Sequence, residues 1–219
     1  MSKFRFAFIL GAAIFVLMGC VGGSSPEENM YNVLEETVSK EGQYVEVQKP
    51  LQKLEEKEKE IYTKIMDLGM KEFDQIVKLS DEALENIKKR KEYIDKERAS
   101  MSEAEEEFAK ADEYVDKLEN EDLKKEAEKL GKTMEERYQL HEKLTSSYLD
   151  VLSLDKELYN MFKKKELTME ELEKQISSIN EQYEKIVKFN GDYNKKTEEF
   201  NKLKQEFYSN AGLDVKDSE

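Results

Sequence analysis

The chain has no tryptophan, one cysteine, one histidine, two prolines and nine glycines in 219 residues. A single cysteine excludes an internal disulfide framework, so folding must rest on packing alone. One histidine cannot supply the two Glu-x-x-His pairs of a helical di-metal carboxylate site, and position 138 in front of His141 is Tyr, not Glu. No Gly-rich phosphate loop is present. Basic charge is also short: 36 Lys and Arg against 50 Asp and Glu leave a net charge of −14. That excludes the electrostatic footprint of a nucleic-acid binder. Strand signals are nearly missing, since no alternating run exceeds Tyr44-Val45-Glu46-Val47. What remains is Lys- and Glu-rich, 39% charged sequence, the composition of long helices and coiled coils.

The apolar residues that do cluster lie at the start. Lys3 and Arg5 precede an unbroken apolar and small-residue stretch, Phe6 to Met18. At about 13 residues it has the length of a secretory h-region and falls short of the roughly 20 needed to span a bilayer. It ends in Leu17-Met18-Gly19-Cys20, where the only cysteine of the chain follows a small residue. This resembles the lipobox of bacterial lipoproteins, which implies cleavage before Cys20 and a diacylglycerol on its sulfur. The expected division is a signal peptide over 1–19, lipidated Cys20 with a Gly/Ser tether over 20–25, a helical domain over 26–212 and a disordered polar tail over 213–219. Loss of Lys3 and Arg5 with the leader takes the side-chain charge from −14 to −16. A protein so acidic is repelled by anionic lipids and wall polyanions. Attachment must therefore come from the lipid, and two or three acyl chains give stable anchoring.

Within 26–212 the pattern is helical. Ser25-Pro26-Glu27-Glu28 reads as a capping box with Pro at the first helical position. Tyr31, Leu34 and Val38 make a short amphipathic helix stopping near Gly42. Pro50 marks the next boundary, because the residue before proline avoids the helical region. Leu51, Leu54, Ile61, Ile65 and Leu68 then recur at three- and four-residue steps up to a kink at Gly69. Ile87, Ile94, Met101, Phe108 and Val115 follow seven apart, with Ala104, Ala111 and Leu118 as the second seam position. Arg90, Lys91, Glu97 and Arg98 interrupt the first half of that seam, which predicts a narrow, partly solvated stretch. Asn120 caps a long helix through Leu123, Leu130, Met134, Tyr138, His141, Tyr148, Leu152 and Phe162, kinked at Gly131. Thr168 and Glu171 form a second capping box, with Leu167 stapled to Leu172. Ile176, Ile179, Tyr183, Ile186, Tyr193, Phe200, Leu203 and Phe207 lead to a stop at Gly212. Aromatic residues at seam positions, Phe108, Tyr138, Tyr148, Phe162, Tyr183 and Phe200, widen the core. The expectation is an all-α fold: an elongated antiparallel bundle of about four long helices and one short N-terminal helix.

Chemistry is thin. His141 lies on an apolar stripe and reads as a packed residue, not a triad member. Glu105-Glu106-Glu107 reads as a solvated charge run. The many carboxylates have no spacing that singles out a glycosidase pair. Tyr31, Tyr44 and Tyr62, least committed to the seams, are the tyrosines available to stack on sugars. No catalytic, cofactor-binding or metal-ligating residue is expected, and no small-molecule substrate is indicated.

The lipobox, the Gly/Ser tether, the first helix around Met30–Val38 and the acidic Lys/Glu-rich remainder together resemble the YkyA-like family, cell-wall-binding lipoproteins of Bacillus-type Firmicutes. The likeness covers essentially the whole mature chain, with Leu17-Met18-Gly19-Cys20 its one specific motif. It implies a lipid-anchored, extracytoplasmic, non-enzymatic helical protein on the outer face of the cell membrane. Peptidoglycan or another envelope protein would be its partner. Two other readings compete: a carboxylate-dependent wall hydrolase, and a chaperone-like clamp for exported proteins. A solute-binding importer lipoprotein would need alternating strands and helices, which the sequence does not offer.

Overall fold

The computed structural model describes residues 24–68 and 72–213, and among them no strand occurs. The expected leader, Leu17, Met18, Gly19, Cys20, the Gly69 kink and the tail from 214 onward lie outside the described residues. The elements are α1 (Pro26–Lys40), α2 (Gly42–Asp67), α3 (Phe73–Phe108), a 3-10 turn (Ala109–Ala111) continued by α4 (Asp112–Val115), α5 (Glu121–Phe162) and α6 (Met169–Asn210). The all-α expectation holds, with four long columns, the first of them bent where α1 meets α2.

Local sequence sets most of the helix ends. The Ser25 hydroxyl accepts from the Glu28 N–H while the Glu28 carboxylate accepts from the Ser25 N–H. Thr168 and Glu171 repeat the same box at the start of α6. Asn120 accepts from the N–H groups of Asp122 and Leu123. Each arrangement satisfies donors that a helix start otherwise leaves open. α6 ends in a Schellman motif: Gly212 takes φ +68°, Leu213 N–H bonds Tyr208 C=O and Gly212 N–H bonds Ser209 C=O.

The boundary expected at Pro50 fails. α2 begins at Gly42 and runs through Pro50. Proline removes one helical bond, to the carbonyl of Glu46, and Glu46 is exposed, so water can serve that carbonyl. Burial of Tyr44, Val47 and Leu51 on one face outweighs the local break. For the same reason Tyr44–Val47, the best strand candidate, is a turn of α2. α5 runs as one helix through Gly131, as the sequence leads one to expect, with Thr133 a buried interior residue.

The columns run antiparallel in sequence. Asn86 of α3 bonds Leu54 C=O of α2, Tyr148 of α5 bonds Arg90 of α3, and Gln182 of α6 bonds Asp150 of α5. Tyr31 of α1 packs against Tyr208 of α6, the rings tilted with 4.9 Å between centroids, which closes the ring of helices. Helices α5 and α6 have 42 residues each, about 63 Å at 1.5 Å per residue. The core divides into two apolar clusters along this length. One gathers Met30, Leu34, Met101, Phe108, Leu130, Met134, Phe200 and Phe207. The other gathers Leu51, Ile61, Ile87, Ile94, Leu152, Leu158, Phe162 and Ile179. The Ile87–Phe108 seam is buried as its heptads require, and so are Ala104, Ala111 and Leu118.

Candidate functional site

The structure places the sequence-selected side chains differently from one another. Tyr31 and Tyr44 are 3% and 2% exposed, which removes both as sugar-stacking groups. The expectation came from judging each short helix alone, whereas Tyr31 packs on Tyr208 and Tyr44 packs against His141 and Tyr193. Tyr62 is half-buried beside Phe162. Tyr183, expected in the core, is only partly covered, 36% exposed. Glu105 and Glu106 are exposed, and Glu107 pairs with Lys110 and Lys40. Among the described residues no group of three His, Cys, Asp or Glu could hold a metal ion.

Arg90 and Glu97 overturn the expectation of a solvated seam. They are 1% and 3% exposed, and each belongs to a polar layer inside the bundle. In the first layer, at the junction of the two apolar clusters, Arg137 of α5 grips Glu41 at the bend between α1 and α2. Its Nη1 and Nη2 donate to the two carboxylate oxygens at 2.6 and 2.7 Å. Nη2 also donates to the Tyr193 hydroxyl at 2.7 Å and Nε to Thr197 Oγ1 at 3.0 Å. The guanidinium lies 4.9 Å over the Tyr193 ring. Burial opposes the charge on Arg137, but Tyr193 and Glu41 outweigh it and its pKa moves up. Beside this pair His141 Nε2 meets Glu97 Oε1 at 2.9 Å, and Gln48 donates to the other Glu97 oxygen at 3.1 Å. His141 is thus a packed structural residue, as its apolar stripe predicts.

The second layer lies within the second cluster. Arg90 Nε donates to Tyr148 Oη at 2.9 Å, and Tyr148 Oη donates to Glu55 Oε1 at 2.6 Å. Arg90 Nη1 is 3.5 Å from Asp155 Oδ2, and neither atom completes a hydrogen bond. Tyr159 donates to Glu58 of α2. Burial pushes the Asp155 carboxyl up to about 7, Arg90 pulling it down in part and Glu58 adding to the rise. Sequence reasoning passed over Glu41, Arg137 and Asp155. A signal did exist for Arg137, which occupies the apolar stripe of α5 between Met134 and His141.

Above the first layer a cleft of about 240 Å³ opens between α3 and α5. Met101, Tyr138 and His141 form its buried base, and Arg98, Glu105 and Glu142 stand at its edge. The Tyr138 hydroxyl is buried without a hydrogen-bond partner. Burial and the nearby carboxylates of Glu41 and Glu105 push its pKa up against the opposing pull of Arg137.

A family described as "Putative cell-wall binding lipoprotein", YkyA, matches residues 25–210. The chain belongs to the YkyA family. It is 37% identical over 207 residues to the uncharacterized lipoprotein YkyA of Bacillus subtilis (strain 168), covering 94% of this chain and 92% of that protein. Among solved structures it resembles a 1.6 Å crystal structure of a conserved protein of unknown function from Staphylococcus aureus. The TM-score is 0.65 with 20% identity, over 85% of this chain and 97% of the other, a likeness of fold. Membership in this lipoprotein family assigns the chain to the cell envelope. No described helix is long and apolar enough to cross a membrane.

Proposed function

We propose that the chain is a lipoprotein held to the outer face of the cell membrane through Cys20, and that it binds the cell wall without catalysing a reaction on it. The family match over residues 25–210, joined to Leu17-Met18-Gly19-Cys20 at the end of an apolar leader, carries this reading. A non-catalytic role is supported by how the buried ionisable groups are used. His141 is committed to Glu97, Arg137 to Glu41, and Arg90 to Tyr148 and Asp155, all holding helices together. The charge of −14 favours peptidoglycan over polyanionic wall polymers as the ligand, because like charges repel at contact.

The test is sedimentation of residues 21–219 with purified sacculi, with and without their anionic polymers. Pelleting with bare peptidoglycan is the expected result. Protein left in the supernatant in both cases overturns wall binding. A lytic band in a zymogram on wall substrate would overturn the non-catalytic part.

A further inference from the structure

The cleft between α3 and α5 brings charged side chains of both signs together over a buried base. Arg98 is half-buried, and among the described residues its guanidinium makes no ion pair or hydrogen bond. Glu105 and Glu142 are exposed at the same cleft with their carboxylates equally uncommitted. This is unusual in a molecule where Arg90 and Arg137 are bound by neighbouring side chains. Arg98 and Glu105 are seven residues apart on one helix face, about 10 Å along the axis. Glu142 follows His141, which pairs with Glu97, so Glu142 stands level with Arg98 across the cleft. A guanidinium fork suits a carboxylate, and the two glutamates suit an ammonium group. The same two carboxylates disfavour a polyphosphate. A volume of about 240 Å³ is below the roughly 300–1,000 Å³ of sites for drug-sized ligands. It therefore admits a head group of amino-acid size rather than a disaccharide.

We propose that this cleft binds the zwitterionic end of a short peptide, with its carboxylate on Arg98 and its ammonium between Glu105 and Glu142. The inference rests on the wall-binding reading for its source: peptide stems of the wall that carry free carboxylate and amine groups. The buried Tyr138 hydroxyl without a partner lies at the base of the same cleft, and a polar group entering from above could supply one.

The experiment is calorimetric titration of residues 21–219 with peptides released from sacculi by an amidase that cuts the bond between the sugar's lactyl group and the stem. A second titration uses the same peptides with amines acetylated and carboxylates amidated. Binding of the native peptides is expected, with at least about a tenfold weakening on blocking, on Arg98→Gln or on Glu105→Gln, as loss of a charge-assisted contact implies. Both substituted side chains reach the surface, so circular dichroism and melting temperature should stay as in the wild type. Equal binding by Arg98→Gln, or none by the wild type, overturns the site. Retention by whole sacculi without binding of the released peptides sinks this inference and leaves the wall reading standing. Equal affinity for a synthetic Ala-Glu-Lys tripeptide would uphold the cleft and overturn the wall as its source.

Discussion

Arg137 and Glu41, 96 positions apart in sequence, close a buried two-point ion pair at 2.6 and 2.7 Å. The pair fastens the bend of the first column to α5. Removing one partner from such a pair strands a buried charge and costs about 3–5 kcal/mol. Arg137→Met should therefore lower the melting temperature by roughly 6–20 °C for a domain of this size. The double variant Glu41→Met with Arg137→Met should recover most of that loss. A double variant as unstable as the single one would show that the arginine matters for packing and not for charge pairing.

Asp155 predicts an unusual slope of stability with pH. Its carboxyl is raised by burial from 3.8 to about 7, so between those values the native state holds a proton that the unfolded chain has released. Stability from this group is then present at acid pH and falls as pH rises from about 4 to about 7, by up to about 1.4 kcal/mol per pH unit. Asp155→Asn should flatten that fall. Urea midpoints at pH 4.5, 5.5, 6.5 and 7.5 measure it, and parallel wild-type and variant curves would contradict the assignment.

Tyr148 joins two helices through one hydroxyl, accepting from Arg90 and donating to Glu55. Tyr148→Phe leaves the guanidinium short of a partner, at a cost of about 1–3 kcal/mol. With Tyr159→Phe added, α2 loses its second hydroxyl link to α5, at Glu58. Amide hydrogen exchange should then quicken across residues 51–65 more than across α5. Uniform acceleration over all helices would argue that α2 is not held by these contacts.

Features decided by neighbours in sequence could be read from the chain. Ser25 with Glu28, Thr168 with Glu171, the Asn120 cap and the Gly212 stop all depend on residues within a turn or so. The Ile87–Phe108 seam was legible because apolar heptads have few other uses. Arg90 and Glu97 were not, since a buried charge and a solvated one look alike in a periodic pattern. What separates them is a partner 58 or 44 residues away, Tyr148 or His141. Tyr31 and Tyr44 were misplaced on the same account: α6 covers them. The cleft is a product of how α3 and α5 pack, and no local spacing announces it.

Pro50 offers a test of packing against local preference. It occupies an interior position of α2, where proline is about 3 kcal/mol less favourable than alanine. Pro50→Ala should stabilise the protein by more than about 1 kcal/mol, since it restores the bond to Glu46 without emptying a core site. A loss of stability in urea unfolding would mean that the break is built into the curvature of α2.

Cys20→Ala should release the protein from the membrane fraction, and the wild-type mature N-terminal peptide should carry a diacylglyceryl mass. An unmodified Cys20 in membrane-bound protein would place the attachment elsewhere.

The two internal arginines also act as keys. Seven-residue repeats can mate at several offsets, each shifted by about 10.5 Å. Only one offset puts Arg137 on Glu41 and Arg90 on Tyr148 together. A slip of one heptad would take both guanidinium groups off these partners at once, so helices that could otherwise slide along one another are held to a single register.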